Sequence, residues 1–400
     1  VGGAGLTVLA LMGDPELTPE QQKTLERYQG GVDKAARKVL TEDFGEGGYF
    51  GEHAGPGVIA MSQTFTPWLK AQKVAAGRDW ISSRANAEWM TLRFVMQTLP
   101  TPRGPMYTNP VAGGSKYQHG KSGYGNDYLE QSGHHHGTYF SQGFGAIQPD
   151  RVAAMLWVYQ NFVEPSEHKL YPSHFLDENE KSYDVFSYPH RAMYALVNWP
   201  IGVTPENPEK TIPKVAEDRR MGQYVFRNRW KDGDDIIVAV LFGSRTEDRC
   251  RRMMVWGLGQ QMTFGDVKPA VESVGHPKVG HINKAKIDAF AAAGDGSGAV
   301  SAGGQMIGVD YSGASGADAV IVMAGPCATG KVTGADASKT KVVKVSAGGV
   351  EYSIMTLSAT GKHPEPKVEG GKVILGGQTI SSDGKRIVFG KMAGPLKIKQ

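Results

Sequence analysis

The hydrophobic pattern of this 400-residue chain changes period once, close to residue 220, and that change orders the whole architecture. Before it, apolar residues recur at helical spacing. In 20–40 they fall at Leu25, Tyr28, Val32, Ala35, Ala36, Val39 and Leu40, along one helix face. Thr18-Pro19-Glu20 supplies a cap and then a proline for the first turn. Further helices are expected at about 58–76, stopped by Gly77, and at 86–99, ended by Pro100. Two more are expected at 149–162 and 190–198, the last closing before Pro200. The apolar opening, Gly3 to Met12, reads as part of a helix in a trimmed or mature chain whose upstream partners are missing.

After residue 221 the pattern is one of short strands. The runs 223–230 and 235–242 flank a turn at Lys231-Asp232-Gly233-Asp234, and 319–323, 342–345, 352–357, 372–375 and 386–389 repeat the design. The 53 glycines, many of them between such runs, suit tight turns. Helices followed by strands imply separate layers or domains and not an alternating α/β fold. Strands at this spacing imply a β-sandwich. The expected division is a helical domain at 1–200, a Pro- and charge-rich linker at 201–220, and an antiparallel β-sandwich at 221–400.

Charge and cysteine narrow the function. A net charge of +4 without a concentrated basic stripe or reading module gives no reason to expect a nucleic-acid partner, and it is compatible with an acidic polymer. No stretch approaches the roughly 18–20 continuous apolar residues of a membrane span. With only Cys250 and Cys327, a disulfide framework and a CxxC site are both excluded; two buried thiols are expected, with one structural bridge between them as the alternative.

Three loop segments carry residue types suited to chemistry on a sugar. In 44–57, Tyr49 offers an aromatic face beside Glu52 and His53, which can exchange protons or hydrogen bonds with hydroxyls. In 125–145, Asn126 precedes His134-His135-His136 and Tyr139. Adjacent loop histidines point in different directions, unlike the four-residue spacing of a helical zinc site, so no cofactor is expected, with a metal at this loop as the minority alternative. Asn, His and Tyr together can perform β-elimination on a uronic acid. One group neutralises the carboxylate, a base removes the C5 proton, and an acid protonates the leaving oxygen. In 183–191, Tyr188, His190 and Arg191 can bind an acidic sugar, Arg191 through its fork-shaped guanidinium. Arg227 and Arg229 share a strand face by period 2, and a solvated face is expected for them. Two carboxylates among Glu52, Asp127 and Glu130 would instead suit a glycoside hydrolase. A non-catalytic glycan-binding protein is the third reading.

The arrangement resembles the heparinase II/III-like polysaccharide lyases. The likeness rests on Met221-Gly222-Gln223-Tyr224-Val225-Phe226-Arg227-Asn228-Arg229-Trp230 with Asp234 to Val238, on His134-His135-His136-Gly137-Thr138-Tyr139, and on Gly47-Gly48-Tyr49-Phe50-Gly51-Glu52. The resemblance implies an incomplete (α/α) toroid of helical hairpins followed by an antiparallel β-sandwich. It also implies a lyase of uronic-acid-containing polysaccharides or oligosaccharides, exported to the periplasm or secreted. Its catalytic residues would come from Tyr139, His134, His135, His136, His190 and Asn126, and its substrate contacts from Tyr49, Glu52, His53, Tyr188 and Arg191. The chain departs from the family in lacking an Asn-Asn-His-Gly run, in offering only Gly280-His281-Ile282-Asn283 in its β-domain, and in having few helices.

Overall fold

A computed structural model describes residues 1–48, 64–101, 104–107, 143–163, 196–243, 253–276 and 280–392. The chain forms two compact units: Val1–Val95, Arg103–Pro105 and Tyr128–Thr211 in the first, and Met96–Pro102, Met106–Asp127 and Ile212–Gln400 in the second.

The first unit is mainly helical among its described residues. Helices α1 (Gly2–Leu11), α2 (Pro19–Lys38), α3 (Thr66–Ala76), α4 (Trp80–Ser83), α5 (Ala85–Gln97) and α6 (Pro149–Val158) follow in order, the last two residues of α5 belonging to the second unit. Thr18 starts α2 with a capping box: its hydroxyl accepts from Gln21 N at 3.3 Å, and Gln21 Oε1 accepts from Thr18 N at 2.8 Å. Gly77 stops α3 in the left-handed conformation at φ +64°. Val32, Ala36 and Leu40 pack with Phe65, Trp68, Leu69, Trp80, Ile81 and Met90 into one core.

Two of the expected helices change form at their ends. α2 widens into a π turn at Val39–Asp43, and α6 into another at Tyr159–Val163. In the second, the wider turn sets Trp157 against Phe162, five residues on, edge to face at 5.3 Å. The helix expected to end at Pro100 gives way earlier, to a short strand at Thr98–Thr101. The described helices are few, and they do not by themselves establish the expected toroidal ring.

The second unit is a stack of antiparallel sheets. One six-stranded sheet runs in the order Val332–Thr333, Gln260–Phe264, Met253–Gly257, Ile237–Leu241, Gln223–Arg227, Val215–Asp218. Another runs Ile287–Ala292, Gly298–Ala302, Gln305–Asp310, Ala319–Ala324, Val350–Leu357, Thr340–Ala347. Period-2 alternation explains how they stack. From Ala319–Ala324, the side chains of Ala319, Ile321 and Met323 join Phe226, Val238 and Val255 in the core between the two sheets. The alternate side chains Val320, Val322 and Ala324 turn the other way and meet Val373, Leu375, Ile380 and Phe389 of a four-stranded sheet formed by residues of Pro366–Phe389. A central strand buried on both faces follows from this.

Two-residue turns hold the registers. Gly303-Gly304 joins the paired residues Ala302 and Gln305, and Gly348-Gly349 joins Ala347 and Val350, all four glycines at positive φ. The segment 201–220 contains a 3-10 turn at Pro208–Lys210 and the edge strand Val215–Asp218. No described helix is long and apolar enough to cross a membrane.

Candidate functional site

The eleven residues singled out from sequence lie outside the described residues: Tyr49, Glu52 and His53; Asn126, His134, His135, His136 and Tyr139; Tyr188, His190 and Arg191. The same holds for Asp127 and Glu130. The described positions that flank these three segments are informative, because several of them pack on α5 and its neighbours within the first unit.

Gly48, the last described residue before Tyr49, lies so close to α5 that an added Cβ would meet the backbone of Trp89 and Met90. Gly143, the first described residue after the His-rich segment, packs against Thr91 of α5 and Met155 of α6; a Cβ there would come within 2.8 Å of the Met155 Cε. Gly145 lies against Asn198 and Lys70, and a Cβ would sit 2.5 Å from the Asn198 Oδ1. Asn198 belongs to the first described residues after the Tyr188–Arg191 segment. One described end of each of the three segments is therefore packed within the same neighbourhood.

Glu88 ties this neighbourhood together electrostatically. Its carboxylate is buried at 1% exposure on α5. It accepts from the Gln148 backbone N at 3.0 Å, from Gln148 Nε2 at 3.1 Å and from Arg151 Nη1. Burial pushes the Glu88 carboxyl upward, while Gln148 and Arg151 pull it back down. With three donors on its two oxygens, Glu88 fixes the start of α6 to α5 and has an architectural role.

The second unit holds a denser cluster. Arg227 was expected on a solvated strand face, but its side chain is wholly buried. Burial is sustained by pairing: Nη2 donates to Asp235 Oδ2 at 2.8 Å, Nη1 to the carbonyls of Met96 at 3.1 Å and Thr98 at 2.9 Å, and Nε to that of Arg229 at 2.7 Å. The guanidinium also lies 3.7 Å from the Trp230 ring centroid. Asp235, equally buried, accepts in addition from Arg229 Nε and from the backbone N of Lys231 and Asp232. Arg229 is partly exposed, its pKa raised by Asp235 and Asp232 against the opposing effect of burial. The cluster fixes the turn 228–235 and the stretch 96–98 within one unit.

Sequence reading passed over Glu88 and Arg151, and it gave Asp235 and Trp230 no role as partners of Arg227. A signal for Glu88 existed: a carboxylate inside Ala87-Glu88-Trp89-Met90-Thr91-Leu92, a mostly apolar helical run, has to find buried partners. Cys327 meets its expectation as a buried free thiol, and Cys250 lies outside the described residues. Among the described residues no group of three or more His, Cys, Asp or Glu could hold a metal ion.

Neither a family model nor a curated protein sequence matches the chain. Among solved structures, heparan sulfate lyase HepC from Pedobacter heparinus aligns at 11% identity and a TM-score of 0.44, covering 96% of this chain and 65% of that one. A mutant of the same lyase aligns at 10% identity and a TM-score of 0.41, covering 99% and 65%. A heparinase III with methylated lysines aligns at 10% identity and a TM-score of 0.35, covering 96% and 66%. The chain thus spans about two thirds of the length of each.

Proposed function

We propose that the chain is a polysaccharide lyase that cleaves a uronic-acid-containing glycan by β-elimination, on a helical toroid-type scaffold exported from the cell. Tyr139 removes the C5 proton or protonates the leaving oxygen, with His134, His135, His136 and His190 assisting. Asn126 or Arg191 neutralises the uronate carboxylate, which makes the C5 proton more acidic. The electron pair left at C5 forms the C4–C5 double bond as the C4–O bond breaks, and the departing oxygen takes up a proton. Tyr49, Glu52, His53 and Tyr188 contribute substrate contacts.

One observation carries this reading. Segments that are rich in His, Tyr, Asn and Arg, though far apart in sequence, have described ends close to one another in the first unit: Gly48 on Trp89 and Met90 of α5, Gly143 on Thr91 of α5, and Asn198 beside Gly145, two residues beyond Gly143. Long polar loops cost conformational entropy to order, and a shared root makes a shared site the economical arrangement.

Incubation of the full chain with a panel of acidic polysaccharides tests the proposal. Elimination leaves a conjugated double bond at each new non-reducing end, and hydrolysis leaves none. Products that carry the unsaturated uronate support the lyase. New reducing ends without it would replace the lyase with the hydrolase reading, and binding without turnover would leave a glycan-binding protein.

A further inference from the structure

The first unit exposes an aromatic platform that the proposed chemistry does not use. Trp199 keeps 37% of its surface exposed, although it is clamped on two sides. Phe144 meets it at 5.6 Å with ring planes 75° apart, and Tyr159 at 5.3 Å and 81°. The backbone beyond it is fixed: Ile201 N donates to Trp199 O at 2.9 Å, Val203 N to Pro200 O at 3.2 Å, and Glu206 N to Ala153 O at 3.1 Å. Leu196 and Ile201, three residues before it and two after, are themselves exposed at 78% and 85%, so this stretch of chain presents apolar side chains to solvent.

A cation sits at the same place. Lys70 Nζ donates to the Val197 carbonyl at 2.7 Å, two residues before Trp199. Its aliphatic stem lies against Gly145, next to Phe144. Partial burial lowers its pKa, so its ammonium gains from an anionic neighbour. One hydrogen bond to Val197 leaves the other N–H groups of the ammonium for a ligand. A clamped, exposed indole two residues from the carbonyl that holds an ammonium matches a sugar ring that is apolar on one face and carries a carboxylate at its edge.

We propose that Trp199 and Lys70 form a stacking subsite for a uronate residue of an acidic glycan. The inference rests on the lyase reading and extends it by naming where a sugar unit outside the reacting pair is held. The indole stacks on the C–H face of the ring, and the ammonium pairs with the carboxylate.

The test measures binding of size-defined uronate hexasaccharides from heparan sulfate, chondroitin and alginate to the full chain, with carboxyl-reduced hexasaccharides as controls. Wild type is compared with Trp199→Phe, Trp199→Ala and Lys70→Met, each shown by circular dichroism to be folded. Trp199→Ala should weaken at least one uronate hexasaccharide by roughly tenfold, and Trp199→Phe should retain most of the affinity. Lys70→Met should weaken the uronate but not the carboxyl-reduced form. If Trp199→Ala binds every hexasaccharide as wild type does, the subsite is overturned, while unsaturated products from wild type would keep the lyase reading intact. If wild type binds no hexasaccharide the subsite is likewise overturned, and the absence of unsaturated products would then remove the lyase reading too. If Ile201→Glu converts a wild-type dimer to a monomer, the patch belongs to a second copy of the chain and the proposal fails.

Discussion

Arg227 and Asp235 form an ion pair in which both side chains are wholly buried, with Nη2 to Oδ2 at 2.8 Å. Removing one partner strands the other charge in the protein interior. Asp235→Ala is therefore expected to cost about 3–5 kcal/mol in urea unfolding of the full chain. The double variant Arg227→Met with Asp235→Leu should be less destabilised than Asp235→Ala, because it leaves no buried charge. A loss below about 1 kcal/mol for Asp235→Ala would contradict the pairing.

Glu88 gives the first unit a pH signature. Its folded-state pKa is raised above the ordinary carboxyl value, with burial as the leading cause. Its contribution to stability is therefore complete below the ordinary carboxyl range and declines as pH rises through the raised folded value. Glu88→Gln keeps the shape and does not titrate. The wild type's melting temperature relative to Glu88→Gln should accordingly fall as pH rises above the ordinary carboxyl range of about 4. A gap that moves in favour of wild type over that rise would show that Arg151 and Gln148 outweigh burial.

How much of this was legible in the sequence depended on whether a residue's partners were local. The start of α2 was readable because Thr18, Pro19 and Gln21 complete their cap within one turn. Strands such as Ala319–Ala324 were readable because both sides of the strand are apolar. Gly298–Ala302 was not, since a short strand of Gly, Ala and Ser carries little periodic signal and its burial comes from its neighbours. The π turns were hidden too, because Trp157 and Phe162 meet only once the backbone has widened. Arg227 misled for a similar reason: period 2 gave its face, but its burial depends on Asp235 and on carbonyls at Met96 and Thr98. For the site, composition marked three polar segments, while the rooting of the first two at Trp89–Thr91 needed the packing of Gly48 and Gly143, and the nearness of the third needed that of Asn198 on Gly145.

The turn Gly348-Gly349 offers a local test of register. Both residues adopt positive φ, at 59° and 77°, where an L side chain costs about 1–2 kcal/mol. A Cβ on Gly348 would also lie 2.7 Å from the Gly371 carbonyl oxygen, whereas one on Gly349 meets nothing within 4 Å. Gly348→Ala should thus be clearly more destabilising than Gly349→Ala in thermal unfolding. Equal losses would mean that the Gly371 loop lies elsewhere.

Burial pushes the Cys327 thiol up to about 12, which leaves almost no thiolate at neutral pH. In a Cys250→Ser background, the native chain should resist a disulfide reagent that labels the urea-unfolded chain quickly. Rapid labelling of the native chain would contradict the packing of Cys327 beneath the Met306 and Ala324 carbonyls.

Whether the chain eliminates is read from absorbance in the unsaturated-uronate band, followed with wild type beside Tyr139→Phe on each acidic polysaccharide. A lyase that uses Tyr139 gives a steady rise for wild type on at least one polymer, and a folded Tyr139→Phe loses that rise. No rise with folded wild type on any polymer, or an undiminished rise with Tyr139→Phe, would contradict this mechanism.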